Sequence, residues 1–347
     1  MIHDKKDILS FSLTEIRDFL TKNGEKAFRA KQVYEWLWKK GAKDFHEMTN
    51  LSKGLRDLLQ NNFVIQSFEI ESVQKSKDKT IKIAFKLVDN QIIEGVLIPT
   101  ENRTTACISS QVGCNLGCEF CATGKIGLQR NLTAGEIFHQ VVAIMKMAEK
   151  EYNLPLTNIV LMGMGEPLLN YEEVKKALEM VSSENGLGMS PQRITLSTVG
   201  LPRMIKKMAD DQVKFNLAVS LHSANDRKRS EFMPVNQRNN LTELSEALIY
   251  FNQKTGQRIT FEYLLMDGIN DSLKDAKDFA EYCKSFPVKI NIIEYNATPD
   301  ERFKKSSNEA LDAFVTFLKS KNLVVNVRRS RGQDIDAACG QLARIRK

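Results

Sequence analysis

No stretch of this sequence approaches the roughly 18 consecutive apolar residues that a membrane-spanning helix requires. The opening residues, MIHDKKDILSFSL, hold no apolar segment of signal-peptide length. A soluble, cytoplasmic protein with no membrane partner is expected. Low-complexity segments and sequence-level repeats are lacking as well. Cysteine is scarce, six in 347 residues, too few for a disulfide scaffold. Such usage fits a reducing compartment in which thiols bind metals or react. Charge is nearly balanced, and a net +7 at this length says little.

The distribution of charge says more. Residues 321–347 carry Lys321, Arg328, Arg329, Arg331, Arg344, Arg346 and Lys347 against Asp334 and Asp336. A basic tail beside an active site favours a polyanionic substrate, nucleic acid above all, although a merely solvated tail has the same composition.

Residues 1–70 read as a small helical domain. SLTEIRDFLTKNG, KAFRAKQVYEWLWKKG and SKGLRDLLQNN repeat apolar residues every three or four positions, with Gly24 and Gly41 at helix ends. The second segment mixes Arg29, Lys31, Lys39 and Lys40 with Tyr34, Trp36 and Trp38, which suits either an RNA-contacting face or a core. Residues 71–103 form a short β-strand linker region, because alternation takes over in VIQSFEIESV, TIKIAFKLV and QIIEGVLIP.

From about residue 104 to 330 the pattern becomes strand, loop, helix, repeated. The strands are TTACISS, TNIVLMG, QRITLST, KFNLAVSL, RITFEYLLM and VKINIIEY, followed by LVVNVRR. Helical stretches at 133–151, 171–183, 201–210, 241–253, 272–285 and 307–320 separate them. Alternation of this kind predicts an α/β fold with a parallel sheet, either open and doubly wound or curled into a partial (β/α)6 barrel. CNLGCEFC, GMGEP, STVG, SLHS and YN all fall at carboxyl ends of strands, where both architectures place their sites. Five strand ends converging on one site suit a barrel mouth better than a crevice. Residues 331–347 are left as a C-terminal tail.

CNLGCEFC is the densest chemical signal. Cys114, Cys118 and Cys121 form C-x3-C-x2-C, an odd number of thiols. Zinc would need a fourth ligand or a water, and none of His3, His46, His139 or His222 is adjacent. An iron–sulfur cubane on three thiolates leaves one iron open for substrate.

The spacing, its place after the first barrel strand, and CISSQVGCNLGCEFCATGKIGLQRNLT, MGMGEPLLN, ITLSTVGL, SLHSAND and DIDAACGQLA together resemble the RlmN/Cfr family of radical SAM RNA methyltransferases. The likeness extends to FRAKQVYEWLW and FHEMTNL, and so over nearly the whole chain. It implies a radical SAM barrel with one [4Fe-4S] cluster per chain on Cys114, Cys118 and Cys121. Its open iron would chelate S-adenosylmethionine, of which two are used per turnover. The implied reaction is methylation of an adenine carbon, C2, in 23S ribosomal RNA and in tRNA beside the anticodon.

That carbon lies between two ring nitrogens and is no nucleophile, so direct methyl displacement fails and a radical route is needed. In the family a cysteine first accepts a methyl group, which is covalent catalysis. The deoxyadenosyl radical then activates that methyl, and it adds to the base. A carboxylate removes the ring proton, and a second cysteine releases the product as a disulfide forms. By resemblance Cys339 in DAACGQLA carries the methyl, Cys107 in CISSQVGC resolves the adduct, and Glu94 in QIIEGVLIP accepts the proton. Each has a plainer reading. Cys107 and Cys339 could be inert thiols, as Cys283 is expected to be. Glu94 could be a strand-edge residue facing water, although a lone carboxylate among apolar residues is costly unless paired or solvated.

Gly163, Gly165, Glu166 and Pro167 resemble the turn that binds the amino group of S-adenosylmethionine, with the glycines allowing close backbone approach. Ser197, Ser220, Leu221, His222 and Asn296 match further cofactor-lining positions, although His222 alone could be a core histidine. Flavodoxin-type and thioredoxin-type reductants are implied as partners, and nothing demands more than a monomer. Two rivals remain. A C8 methyltransferase of the same family would carry alanine at Pro167 and cysteine at Val112. A non-catalytic iron–sulfur RNA-binding protein or redox sensor would need neither Cys107, Cys339 nor the GMGEP turn.

Overall fold

The computed structural model describes residues 5–298 and 302–343. Arg344, Arg346 and Lys347 of the expected basic tail, and His3, lie outside the described residues.

Three helices open the chain: α1 (Leu13–Lys22), α2 (Arg29–Trp38) and α3 (Lys53–Asn62). Ser12 and Glu15 close a capping box on α1, which sets its start. Strands β1 (Glu69–Lys75), β2 (Ile81–Lys86) and β3 (Ile92–Thr100) run antiparallel and join β4 (Arg103–Cys107). The barrel repeats follow: α4 (Ala134–Tyr152), β5 (Asn158–Leu161), α5 (Tyr171–Ser182), β6 (Ile194–Thr198), α6 (Pro202–Asp210) and β7 (Asn216–Ser220). Then come α7 (Asp226–Phe232), α8 (Leu241–Thr255), β8 (Ile259–Leu265), α9 (Leu273–Tyr282), β9 (Val288–Glu294), α10 (Asn308–Ser320) and β10 (Val324–Arg328).

All ten strands form one sheet in chain order, β1 through β10, parallel from β4 onward. The antiparallel strands read as a separate linker set are therefore continuous with the barrel sheet. Parallel strands covered by helices explain the near-continuous apolar runs. Alternation in TIKIAFK places Ile81, Ile83 and Phe85 on one face and predicts Lys82 and Ala84 on a solvated one. Both faces are instead covered, and Ile81 to Phe85 are all buried. What covers the second face is the C-terminal segment described below.

Helix α4 joins the two halves of the molecule. Its residues from Ala134 to Ile144 are all buried. One side meets the N-terminal helices, where Trp38 packs edge-on against Phe138 at 5.0 Å. The other side meets β3, where a Cβ on Gly95 would stand 3.2 Å from Ile144. Trp38 is thus core, and Tyr34 donates its hydroxyl to Met180 Sδ on α5. Trp36 lies half-buried under Lys40, whose Nζ sits 3.5 Å from the ring centroid. No helix among the described residues is long and apolar enough to cross a membrane.

Candidate active site

Helix α4 starts immediately after the cysteine loop and anchors it. Thr133 and Glu136 close its capping box, and Arg130 grips both Glu136 oxygens at 2.8 Å. Gln111–Val112 pairs with Arg130–Asn131, closing the base of the loop that carries Cys114, Cys118 and Cys121. A Cβ on Gly113 (φ +76°) would fall 1.9 Å from the Gly127 carbonyl oxygen, so only glycine fits that crossing. The three cysteines line one wall of a cavity with about 930 Å3 of empty space. They do not close on a single ion. Burial pushes the Cys114 thiol up to about 11 and Cys118 higher still, with the neighbouring cysteines and Glu166 adding to it. Coordinated iron deprotonates thiols held in this way.

The opposite wall is built from strand ends. Leu161, Ser197, Ser220, Leu264 and Ile293 from β5 to β9 all face the same cavity, so the sheet curves around it. Gly163, Gly165 and Glu166 follow β5 and line it too. A Cβ on Gly165 (φ +99°) would sit 2.5 Å from Gln111, and one on Gly163 would sit 2.7 Å from Ile108 and Ser109. These glycines therefore let the turn press on the strand leading to the cysteine loop, a constraint from the protein itself as well as any from a cofactor. Ser109 joins the pieces: its Oγ donates to the Glu94 carbonyl at 2.6 Å and accepts from Met164 N–H at 2.8 Å.

Glu166 is buried, and no ion pair among the described residues reaches it. Leu168 N–H and Val199 N–H donate to its two oxygens at 3.0 and 2.9 Å. Burial still wins, and its carboxyl is pushed up to about 7. A buried carboxylate lacking a cation suits a ligand ammonium group. Pro167 begins the 3-10 turn Pro167–Asn170 and is buried.

His222 lines the cavity with φ +57°. Its Nδ1 accepts from Leu264 N–H at 2.9 Å, which leaves the proton on Nε2 and the ring neutral. Burial first, then Arg229, depress it to about 3. Leu221 is fully buried, and its backbone carbonyl accepts from Arg229 Nε at 3.0 Å. Arg229, itself fully buried, also donates to Val199 O, Ser220 O and Asn236 Oδ1. It thereby fixes the ends of β6 and β7. Nothing in α7 (DRKRSEF) announces this role, since its charges read as a solvated face.

The C-terminal segment closes the barrel's open side. Arg331 Nη2 donates to Asp78 O and Pro99 O at 2.9 Å, and Asp334 accepts from Ser76 and Lys77. Further along, Ala122 N–H donates to Gly340 O at 2.7 Å and Thr123 Oγ1 to Leu342 O at 2.5 Å. The strap holds Cys339 in the cavity wall beside the cysteine loop, where a Cβ on Gly340 would stand 3.3 Å from the Phe120 carbonyl oxygen. Surrounding protein pushes the Cys339 thiol up, and Arg328 pulls it down. Cys107, buried at the end of β4, lies within electrostatic reach of Cys339 and is pushed up to about 12, burial being the larger cause. All six cysteines are free thiols. Cys283 is buried at the end of α9, away from these groups.

Asn296 does not line the cavity. Its Nδ2 donates to Cys339 O at 3.3 Å, so it braces the strap. Glu94 is buried, not facing water. Lys82 Nζ lies 3.5 Å from Oε1, and Ala343 N–H donates to Oε2 at 3.0 Å. The basic residues of the tail also pair within the chain, half-buried Arg328 and Arg331 with Glu262 and Asp78, and Arg329 with Glu294 from the surface. Lys82, Ser109, Arg229 and Glu262 are the groups that sequence reasoning missed.

Comparison with known proteins agrees with this geometry. Residues 6–65 match the ribosomal RNA large subunit methyltransferase N-terminal domain, and residues 108–281 match the radical SAM superfamily. The chain is 56% identical over 339 residues to a probable dual-specificity RNA methyltransferase RlmN of Cytophaga hutchinsonii, covering 98% of this chain and 93% of that one. It is 54% identical over 340 residues to the protein of the same name in Flavobacterium johnsoniae, covering 98% and 97%. A crystal structure of a radical SAM methyltransferase from Sphaerobacter thermophilus superposes with a TM-score of 0.92 at 41% identity, covering 97% of this chain and 99% of that one. The chain belongs to the radical SAM superfamily and, within it, to the RlmN family.

Proposed function

We propose that the protein is a dual-specificity RNA methyltransferase that methylates C2 of an adenine in 23S ribosomal RNA and in tRNA, through a methyl group carried on Cys339. The observation that supports this most is the strap: it brings Cys339 into one cavity with Cys114, Cys118, Cys121 and Glu166, and close enough to Cys107 for the two thiols to influence each other electrostatically. A redox sensor needs no such convergence.

Cys114, Cys118 and Cys121 would hold one [4Fe-4S] cluster, and Glu166 would receive the ammonium group of S-adenosylmethionine. Ser197, Ser220 and His222 would line its remaining polar edge. When bound, the pair supplies a methyl group and, from a second S-adenosylmethionine, a hydrogen-abstracting radical. Cys339 accepts the methyl and presents it to a base turned out of its stack into the cavity. Glu94 takes the ring proton. Cys107 attacks the thioether sulfur, and the product leaves as a Cys107–Cys339 disulfide forms. Each turnover thus calls for a thioredoxin-type reductant for the disulfide and a flavodoxin-type electron donor, and a monomer suffices.

The test is Cys107→Ala in iron-loaded protein incubated with S-adenosylmethionine, reductant and substrate RNA. A covalent protein–RNA species is expected, and normal release of methylated RNA contradicts the resolving role. Nucleoside analysis of wild-type product should give 2-methyladenosine. Finding 8-methyladenosine instead would move the assignment to the C8 reaction.

A further inference from the structure

We propose that Lys82 is a positioning residue for the ring-proton transfer, its ammonium group holding the Glu94 carboxylate in place and tying it to the strap that carries Cys339. The proposal rests on the reading of Glu94 as the proton acceptor.

The two residues occupy neighbouring strands. Lys82 pairs with Val96 and Ala84 with Glu94, so Lys82 and Glu94 are diagonal neighbours on one face of the β2–β3 ladder. Lys82 is 9% exposed and Glu94 2%. Nζ stands 3.5 Å from Glu94 Oε1 and 3.3 Å from the carbonyl oxygen of Asp336, three residues before Cys339. Ala343 N–H, four residues after Cys339, donates to the other carboxylate oxygen at 3.0 Å. The pair is thus fastened to both flanks of the proposed methyl-carrying cysteine.

Stability alone does not call for this pair of charges. The strand neighbours of Lys82, Ile81, Ile83, Ala84 and Phe85, are buried and apolar. Burying an ammonium is costly, and apolar side chains commonly replace buried ion pairs without loss. What the ammonium does provide is a counter-charge and a fixed direction for a carboxylate that must meet one ring proton. In that step the ring C–H bond breaks, its proton goes to Glu94, and its electron pair stays in the ring. Lys82 neither gains nor loses a proton.

The test uses full-length, iron-loaded enzyme with S-adenosylmethionine, reductant and substrate RNA. Lys82→Met should load methyl on Cys339 as wild type does, because Arg331, Asp334, Asn296 and Thr123 still hold the strap. It should then accumulate the covalent protein–RNA adduct, with turnover down roughly 10²-fold, the scale set by misplacing a catalytic group by an ångström. Lys82→Arg should restore most of the turnover. Lys82→Gln, which keeps a donor to the Asp336 carbonyl without the charge, should trap the adduct as Lys82→Met does. Glu94→Gln is the control. If it fails to accumulate adduct, the assignment of Glu94 as proton acceptor falls. If Glu94→Gln accumulates adduct while both uncharged Lys82 variants release product at the wild-type rate, the role of Lys82 is overturned. Loss of Cys339 methylation in both uncharged variants would overturn it too, by showing that Lys82 serves the strap and not the base.

Discussion

Asn296 holds Cys339 by its backbone: Nδ2 donates to the Cys339 carbonyl at 3.3 Å, while Oδ1 accepts from Gln333 Nε2 at 2.8 Å. The same side chain therefore fastens two points of the strap, six residues apart. Removing it costs roughly 1 kcal/mol for each hydrogen bond, little for a chain of this size but much for a thiol that must be aimed. Asn296→Ala should slow methyl loading on Cys339 at least tenfold while the unfolding midpoint changes little. Equal loading rates in a time course of Cys339 methylation would show that the other ties are enough.

Arg229 is a second tie, between strand ends. Its guanidinium satisfies the carbonyls of Leu221 and Val199 and the side chain of Asn236 inside the protein. Arg229→Met leaves the Val199 carbonyl and Asn236 Oδ1 without their donor, while Leu221 O keeps the Ser223 N–H, at a cost of about 3 kcal/mol. Denaturant unfolding of the variant should show that loss. A change below about 1 kcal/mol would mean that the strand ends do not depend on it.

Trp38 joins the N-terminal helices to the barrel across α4, edge-on to Phe138. Truncation to alanine should cost about 3–5 kcal/mol, the usual range for a fully buried aromatic. Equilibrium unfolding measures it, and a cost under about 1 kcal/mol would indicate that the interface collapses around the gap.

His139 gives a pH prediction. It is buried on α4, where desolvation outweighs the opposing effect of the Gln66 backbone. Burial first, then Lys43, depress it to about 4. Between pH 6.5 and 4 the unfolded chain binds a proton there that the folded chain refuses, so this residue removes stability as pH falls through that window, by about 1.4 kcal/mol per pH unit. His139→Leu abolishes the contribution. Its stability relative to wild type should therefore grow by about 2 kcal/mol between pH 6.5 and 5, and a gap that stays constant with pH would contradict the assignment.

Much of this was legible in the sequence, for identifiable reasons. Apolar period marked the helices and strands, and the CNLGCEFC and GMGEP turns stood out at strand ends. Helix α7 escaped because DRKRSEF has no apolar period, its helix resting on the Asn225 cap and on Arg229 turned inward. Lys82 escaped for the opposite reason. Its place in TIKIAFK fits a solvated face, and only the strap, packed from some 250 residues further along the chain, makes that face an interior. Asn296 was recognised by resemblance as a cofactor residue, and its contact with the Cys339 backbone could not be read from local pattern. For Lys82 and Asn296 the missing information was a long-range contact.

The most direct measurement is mass spectrometry of the tryptic peptide GQDIDAACGQLAR, residues 332–344, from anaerobically purified, iron-loaded protein. The account predicts a mass increase of one methyl group located on Cys339, absent from Cys339→Ala protein. An unmodified Cys339 after incubation with S-adenosylmethionine and reductant would contradict it.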